Sequence, residues 1–154
     1  MDELPNFHRF SDRILTSGQP TASQLAELGR DGVNAVVNLA MHDSANAVPE
    51  EGHIVAAQGL AYAHIPVPFE QPAPRHLRQF FQLMDAFEGQ TVLVHCALNM
   101  RVAVFMQRYL YLVKGVGEAA ACSPLLLHWL PSMEPCWRAI MALQLRDIYG
   151  PASP

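Results

Sequence analysis

Residues Thr91 to Arg101 read TVLVHCALNMR. An apolar, β-branched run enters His95 and Cys96, and an arginine follows after four intervening residues. Cysteine is a nucleophile only as the thiolate, and three features of this stretch favour that form. The loop after Cys96 feeds a helix starting near Arg101, so several backbone N–H groups lack intrahelical partners and face the loop's concavity. Arg101 adds a permanent positive charge. His95 lies on the opposite face of the strand, where it serves as a hydrogen-bonding brace for the loop backbone rather than as a direct base. The same parts bind a tetrahedral anion, with the N–H groups of residues 97 to 101 around its oxygens and a guanidinium giving two parallel hydrogen bonds. Ala97, Leu98, Asn99 and Met100 then form the substrate-binding loop. Asn99, at its centre, is the residue best suited to the positive φ that a tight anion loop needs. The competing reading of Cys96 is an inert, buried strand-end cysteine. Its place between an apolar strand, a short loop and a helix start favours function. Cys122 and Cys136 lie in helical segments without that context and read as core.

The elements that position this loop alternate. RILTSGQP is a short strand and turn, and ASQLAELGRD is a helix with Thr21 and Gln24 at capping-box spacing. Val33 to Ala40 is a buried strand, and the polar stretch after it leads into a short helix from about Pro49 to Gln58. LAYAHIPV is a further strand. Leu77, Phe80, Phe81, Met84 and Phe87 recur at three- and four-residue steps, the stripe of an amphipathic helix. The strand ending at Cys96 and a buried helix from Arg101 to Gly115 follow. One helical segment, interrupted near Pro124, and another from Pro135 to Tyr149 complete the chain. This order predicts a single α/β domain over residues 1–154, with a mainly parallel sheet of four to five strands flanked by helices, and with residues 1–6 and 150–154 frayed. Ligands bind beyond the carboxyl ends of parallel strands. Four loops therefore gather at one edge, contributing Ser17 to Gln19, Met41 to Asn46, Phe69 to Gln71, and Cys96 to Arg101. Ser17 and Gln19 are candidate donors to substrate, although capping the turn is their plainer role.

With 51% hydrophobic and 16% charged residues the chain folds rather than staying disordered. A net charge of −4 without a basic run argues against nucleic acid as a partner. No apolar run is long enough to span a bilayer, so a soluble protein with no membrane partner is expected. Three widely spaced cysteines make no disulfide framework and fit a reducing cytoplasm. The seven histidines show no ligand spacing, so no metal is expected. No glycine-rich nucleotide loop occurs, and no cofactor is implied.

The segment VLVHCALNMR resembles the active-site stretch of the cysteine-dependent protein tyrosine phosphatases, in particular their compact, dual-specificity-like bacterial branch. RILTSGQPTASQLAELGRDGVNAVVNLA and YAHIPVPFEQPAPRHLRQFFQLMD are similar to the upstream parts of the same branch, so the likeness covers roughly residues 10 to 115. The resemblance implies a phosphatase-like fold acting on a phosphorylated substrate or small oxyanion, with Cys96 as nucleophile, Arg101 on the phosphate and His95 supporting the thiolate. It places the general acid on the loop after the preceding strand, where Glu70 stands in place of the usual aspartate; Asp43, on another loop of the rim, is the reserve. Two positions depart from the pattern. Four residues rather than five separate Cys96 from Arg101, and Val102 replaces the hydroxyl residue that usually follows the arginine. The shorter spacing is similar to that of the rhodanese loop, which holds a persulfide. Phosphatase, sulfurtransferase and an anion-binding module without turnover are thus the three functions to separate.

Overall fold

The computed structural model describes residues 1–150. Five strands form one sheet: β1 (His8–Arg9), β2 (Ile14–Ser17), β3 (Ala35–Asn38), β4 (Ala61–His64) and β5 (Val92–His95). Their spatial order is β1-β2-β5-β3-β4; β1 runs antiparallel to β2, and the other four strands are parallel. The register sets their ends level, with Ser17 and Asn38 each beside His95, and Asn38 beside His64. All four loops named above therefore leave from the same edge, with that of the central strand β5 in the middle.

Alternation along β5 decides what lies on each face. Val92, Val94 and Cys96 belong to the larger core, under α3 (Pro74–Ala86), α4 (Met100–Leu112), α5 (Pro124–Trp129), α6 (Pro135–Met141) and α7 (Leu145–Tyr149). Leu93 belongs to the smaller core, under α1 (Ala22–Ala26), α2 (Glu51–Ala56) and the N-terminal segment. His95 and Cys96 accordingly point to opposite sides. The apolar stripe of α3 is Leu77, Phe80, Phe81 and Met84, all buried, and α4 is buried continuously from Arg101 to Leu110.

Several boundaries differ from expectation, each for a local reason. The first helix stops at Ala26 because the Gly29 N–H goes to the Gln58 side-chain carbonyl, and turns replace the last part of the helix. In the segment around Pro124 the helix begins only at that proline, capped by Ser123. The C-terminal helix divides in two, because Gln144 starts a fresh turn by donating its N–H to Asp147. Residues 1–6, expected to fray, are tied down: Leu4 is buried, the Pro5 carbonyl accepts the Gly18 N–H at 2.7 Å, and Asn6 reaches the loop after β5. Of the C-terminal stretch expected to fray, residues 151–154 lie outside the described residues. No helix among the described residues is long and apolar enough to cross a membrane.

Candidate active site

The loop between β5 and α4 is shaped by its carbonyl groups. The Cys96 carbonyl lies 3.2 Å from His95 Nδ1. The Ala97 carbonyl accepts from the Gln19 N–H at 3.0 Å and from Asn46 Nδ2 at 3.2 Å. The Leu98 carbonyl accepts from Asn6 Nδ2 at 3.0 Å. Three successive carbonyls are thus held by groups outside the loop. A trans peptide is planar, with its N–H opposite its C=O, so the N–H groups of Ala97, Leu98 and Asn99 turn to the concave side. Among the described residues the N–H groups of residues 97 to 101 find no protein acceptor.

Asn99 makes the turn possible. It has φ 70°, the left-handed region that Asn tolerates better than most non-glycine residues. Its side chain points away from the concavity, with Nδ2 donating to the Asn6 carbonyl at 2.8 Å and to Thr16 Oγ1 at 3.2 Å. Gly18 allows the Ala97 carbonyl to approach the β2 loop, since a Cβ at residue 18 would lie 2.7 Å from that oxygen.

On the concave side is a cavity of about 50 Å³ lined by Phe69, Cys96, Ala97, Leu98, Met100 and Arg101. Cys96, which lines this cavity, is 1% exposed and joins the larger apolar core. Leu98 stands at the rim, 55% exposed. Arg101 is buried rather than turned to solvent. One arm donates from Nη1 to the Val67 carbonyl at 2.9 Å, and the guanidinium carbon lies 5.9 Å from the centre of the Phe69 ring. Among the described residues its other nitrogens have no protein acceptor, which leaves the remaining donors for a ligand. Phe69 is fixed in turn, its carbonyl accepting from Trp137 Nε1 at 2.8 Å and its ring lying against those of Trp129 and Trp137.

The remaining candidate residues lie at varied distances from this centre. Glu70 is exposed and follows Phe69 on the loop after β4. Asp43 is exposed on the turn after β3; Asn46, three residues on, is the side chain of that segment that reaches the loop after β5. Ser17 is buried and donates to the Gly18 carbonyl. The Gln19 side chain lies behind the loop, donating from Nε2 to Glu51 Oε1 at 2.7 Å. The other oxygen of Glu51 lies 2.5 Å from His95 Nε2, in an ion pair or short hydrogen bond whose two side chains are almost wholly buried. A second cavity, of about 210 Å³, opens there, with Gln19, Asn38, Glu51, Tyr62 and His64 among its walls. Burial, with a smaller contribution from Glu51, pushes the Tyr62 hydroxyl up to about 12. The sequence singled out neither Glu51 nor Asn6, and it placed Asn46 and Phe69 on rim loops without giving them a role. Glu51 stands one turn before the apolar Val55 on the inner face of α2, and that spacing was its single local signal.

The family described as "DSP-PTPase phosphatase fused to NAD+ Kinase" matches residues 6–123. No curated protein matches. Among solved structures, a DUF442 protein from Shewanella putrefaciens CN-32 is 31% identical, covering 91% of this chain and 91% of its own, at a TM-score of 0.81. The core catalytic domain of the PP-IP phosphatase SIW14 from S. cerevisiae, solved with citrate, is 14% identical over 94% of this chain and 88% of its own, at 0.71. TpbA from P. aeruginosa, solved with pTyr, is 24% identical over 75% and 68%, at 0.60. The last two likenesses concern the fold alone.

Proposed function

We propose that this chain, which belongs to the family of DSP-PTPase phosphatases fused to NAD+ kinase, hydrolyses a phosphate monoester through a cysteinyl-phosphate intermediate. The observation that carries the reading is the loop's polarity. Its carbonyls are held from behind and its amides face the cavity that Cys96 and Arg101 share. Such a ring suits an oxyanion, and SIW14 with citrate and TpbA with pTyr are likewise solved with anions.

The Cys96 thiolate attacks phosphorus, the P–S bond forms, and the ester P–O bond breaks. The amides of residues 97 to 101 and the free arm of Arg101 hold the three non-bridging oxygens and stabilise the charge that develops on them. Glu70 gives its proton to the leaving oxygen. Water then attacks phosphorus and passes a proton to the Glu70 carboxylate, and the P–S bond breaks to return the thiolate. Val102 supplies no hydroxyl to assist that departure, so the second step falls to Glu70 and the amide ring alone. Around the cavity the walls are Phe69, Leu98 and Met100, with one cation, which suits a monoester with an apolar body.

The test is turnover of an aryl phosphate by wild type and Cys96→Ser, with intact mass read after rapid quenching. Wild-type turnover, a phosphoryl adduct and a silent serine variant are expected. Equal rates would remove Cys96 from the mechanism. Release of thiocyanate from thiosulfate and cyanide, with no phosphate release, would make the site a sulfurtransferase. Glu70→Gln should slow an alkyl phosphate far more than p-nitrophenyl phosphate, whose leaving group needs little protonation. Equal effects would assign the acid to another group.

A further inference from the structure

The cavity behind the loop contains a side-chain chain that the proposed steps do not use: Gln19 to Glu51, Glu51 to His95, His95 to the Cys96 carbonyl. Each member is buried, with Glu51 4% and His95 0% exposed. The ring of His95 therefore stands between two oxygens, a carboxylate at Nε2 and a backbone carbonyl at Nδ1. A carbonyl only accepts. A neutral imidazole carrying its proton at Nε2 would face the Cys96 carbonyl with a bare lone pair at 3.2 Å. Both contacts are favourable when Nδ1 carries a proton and one further proton lies in the bond between Nε2 and the Glu51 carboxyl. Glu51 thus holds the far side of the ring, and Gln19 Nε2 donates to its other oxygen.

The consequence reaches the front of the loop through one peptide plane. The Cys96 carbonyl and the Ala97 N–H belong to the same planar unit and point in opposite directions. A donor behind the carbonyl fixes the amide in front of it. We infer that Glu51 is a positioning residue: by bonding Nε2 it holds the His95 ring with Nδ1 turned to the Cys96 carbonyl, and the ring, by holding that carbonyl, aims the Ala97 N–H at the oxyanion beside the nucleophile. For its kinetic consequence the inference rests on the phosphatase reading. The state of the ring does not depend on that reading.

The experiment compares wild type, Glu51→Leu and Glu51→Asp. Nitrogen-15 NMR of the histidine rings should show a proton on His95 Nδ1 protected from solvent exchange in wild type, unprotected in the leucine variant, and protected again in the aspartate variant. A bare Nδ1 at His95 in wild type would overturn the inference, whether or not either variant folds. With an aryl phosphate, Glu51→Leu should lower kcat by about ten- to a hundredfold with KM little changed, as expected for a misdirected oxyanion donor, and Glu51→Asp should recover part of the loss. An unchanged kcat in a folded leucine variant would also overturn it. Iodoacetamide alkylation of Cys96, followed by peptide mass so that Cys122 and Cys136 are counted apart, should slow in Glu51→Leu. An unchanged alkylation rate would count against the brace. Silence of wild type toward aryl phosphates would sink the phosphatase reading while leaving the ring spectrum and the alkylation result to decide this one.

Discussion

The two sides of the loop after β5 differ in almost every property that bears on chemistry. In front is a cavity of about 50 Å³ with Phe69, Leu98 and Met100 as walls and one cation, Arg101. Behind is one of about 210 Å³ whose lining includes Gln19, Asn38, Glu51, Tyr62 and His64. Size and polar density would direct attention to the back, yet Cys96 and Arg101 line the front. The reason is the peptide dipole. A loop that presents amides on one side presents carbonyls on the other, and buried carbonyls need donors. Gln19, Asn46, Asn6 and His95 are those donors. An anion-binding front thus requires a donor-rich back, and the larger, more polar region serves the smaller one.

The largest effect that tests this division is expected in front. Arg101→Lys keeps the charge but removes the planar fork, and a lysine that bonds the Val67 carbonyl has less left for a ligand. With an aryl phosphate, kcat/KM should fall by about 10²–10³, the usual loss when a fixed transition-state donor is removed, with little change in melting temperature. A loss under about fivefold would mean that charge alone, not the fork, matters in front.

A smaller effect should come from the back. Gly18→Ala places a methyl group 2.7 Å from the Ala97 carbonyl, a backbone atom that the Gln19 N–H and Asn46 hold in place. Either the loop after β2 or the loop after β5 must shift, costing about 1–3 kcal/mol in stability as overpacking does. If the back sets the front, kcat/KM should also drop, by about tenfold, because the Leu98 amide moves with the Ala97 carbonyl. A variant that melts earlier but turns over normally would separate the two sides and break the comparison.

What the sequence disclosed follows the same line between front and back. The front is written in contiguous residues: an apolar strand, His95, Cys96, a loop with Asn99 and an arginine. Its geometry was legible down to the positive φ of Asn99 and the orientation of His95 toward the loop backbone. The parallel sheet was legible too, because β-branched strands alternate with helices. The back was legible only in part: Gln19 and His95 were candidates and Asn46 closed a rim loop, but no local pattern joins residues 6, 19, 46, 51 and 95. Glu51 lies at the start of the short helix expected from about Pro49 to Gln58, where a carboxylate reads as a solvated first-turn residue, and only the packing of α2 against β4 and the β5 end buries it. Helix ends were misplaced where distant side chains decide them, as Gln58 does for the Gly29 N–H. Phe69 seemed an ordinary loop residue until Trp129 and Trp137, sixty or more positions on, were seen to fix it beside Arg101.

The smallest effect should come from Tyr62, at the outer wall of the back cavity. Its ring packs on Gly52 and its hydroxyl accepts from Asn38 Nδ2 at 3.1 Å. Because burial pushes the hydroxyl up to about 12 from an ordinary 10, the folded chain holds this proton after the unfolded chain has released it. The associated stability is fully present below pH 10 and is lost as pH rises from 10 to about 12. Tyr62→Phe should therefore make the fall in melting temperature over that interval shallower than in wild type. It should not abolish the fall, since the Tyr109 and Tyr149 hydroxyls are also pushed up, chiefly by burial. An ultraviolet titration should show one late-ionising tyrosine fewer. At neutral pH the phenyl ring preserves the contact with Gly52 and Glu51 keeps its bonds to Gln19 and His95, so kcat on an aryl phosphate should change by less than about twofold, the scale of a single neutral hydrogen bond away from the reacting atoms. A large loss of turnover would show that the back acts on the loop through more than the Glu51–His95 brace and would move the functional boundary out to β4.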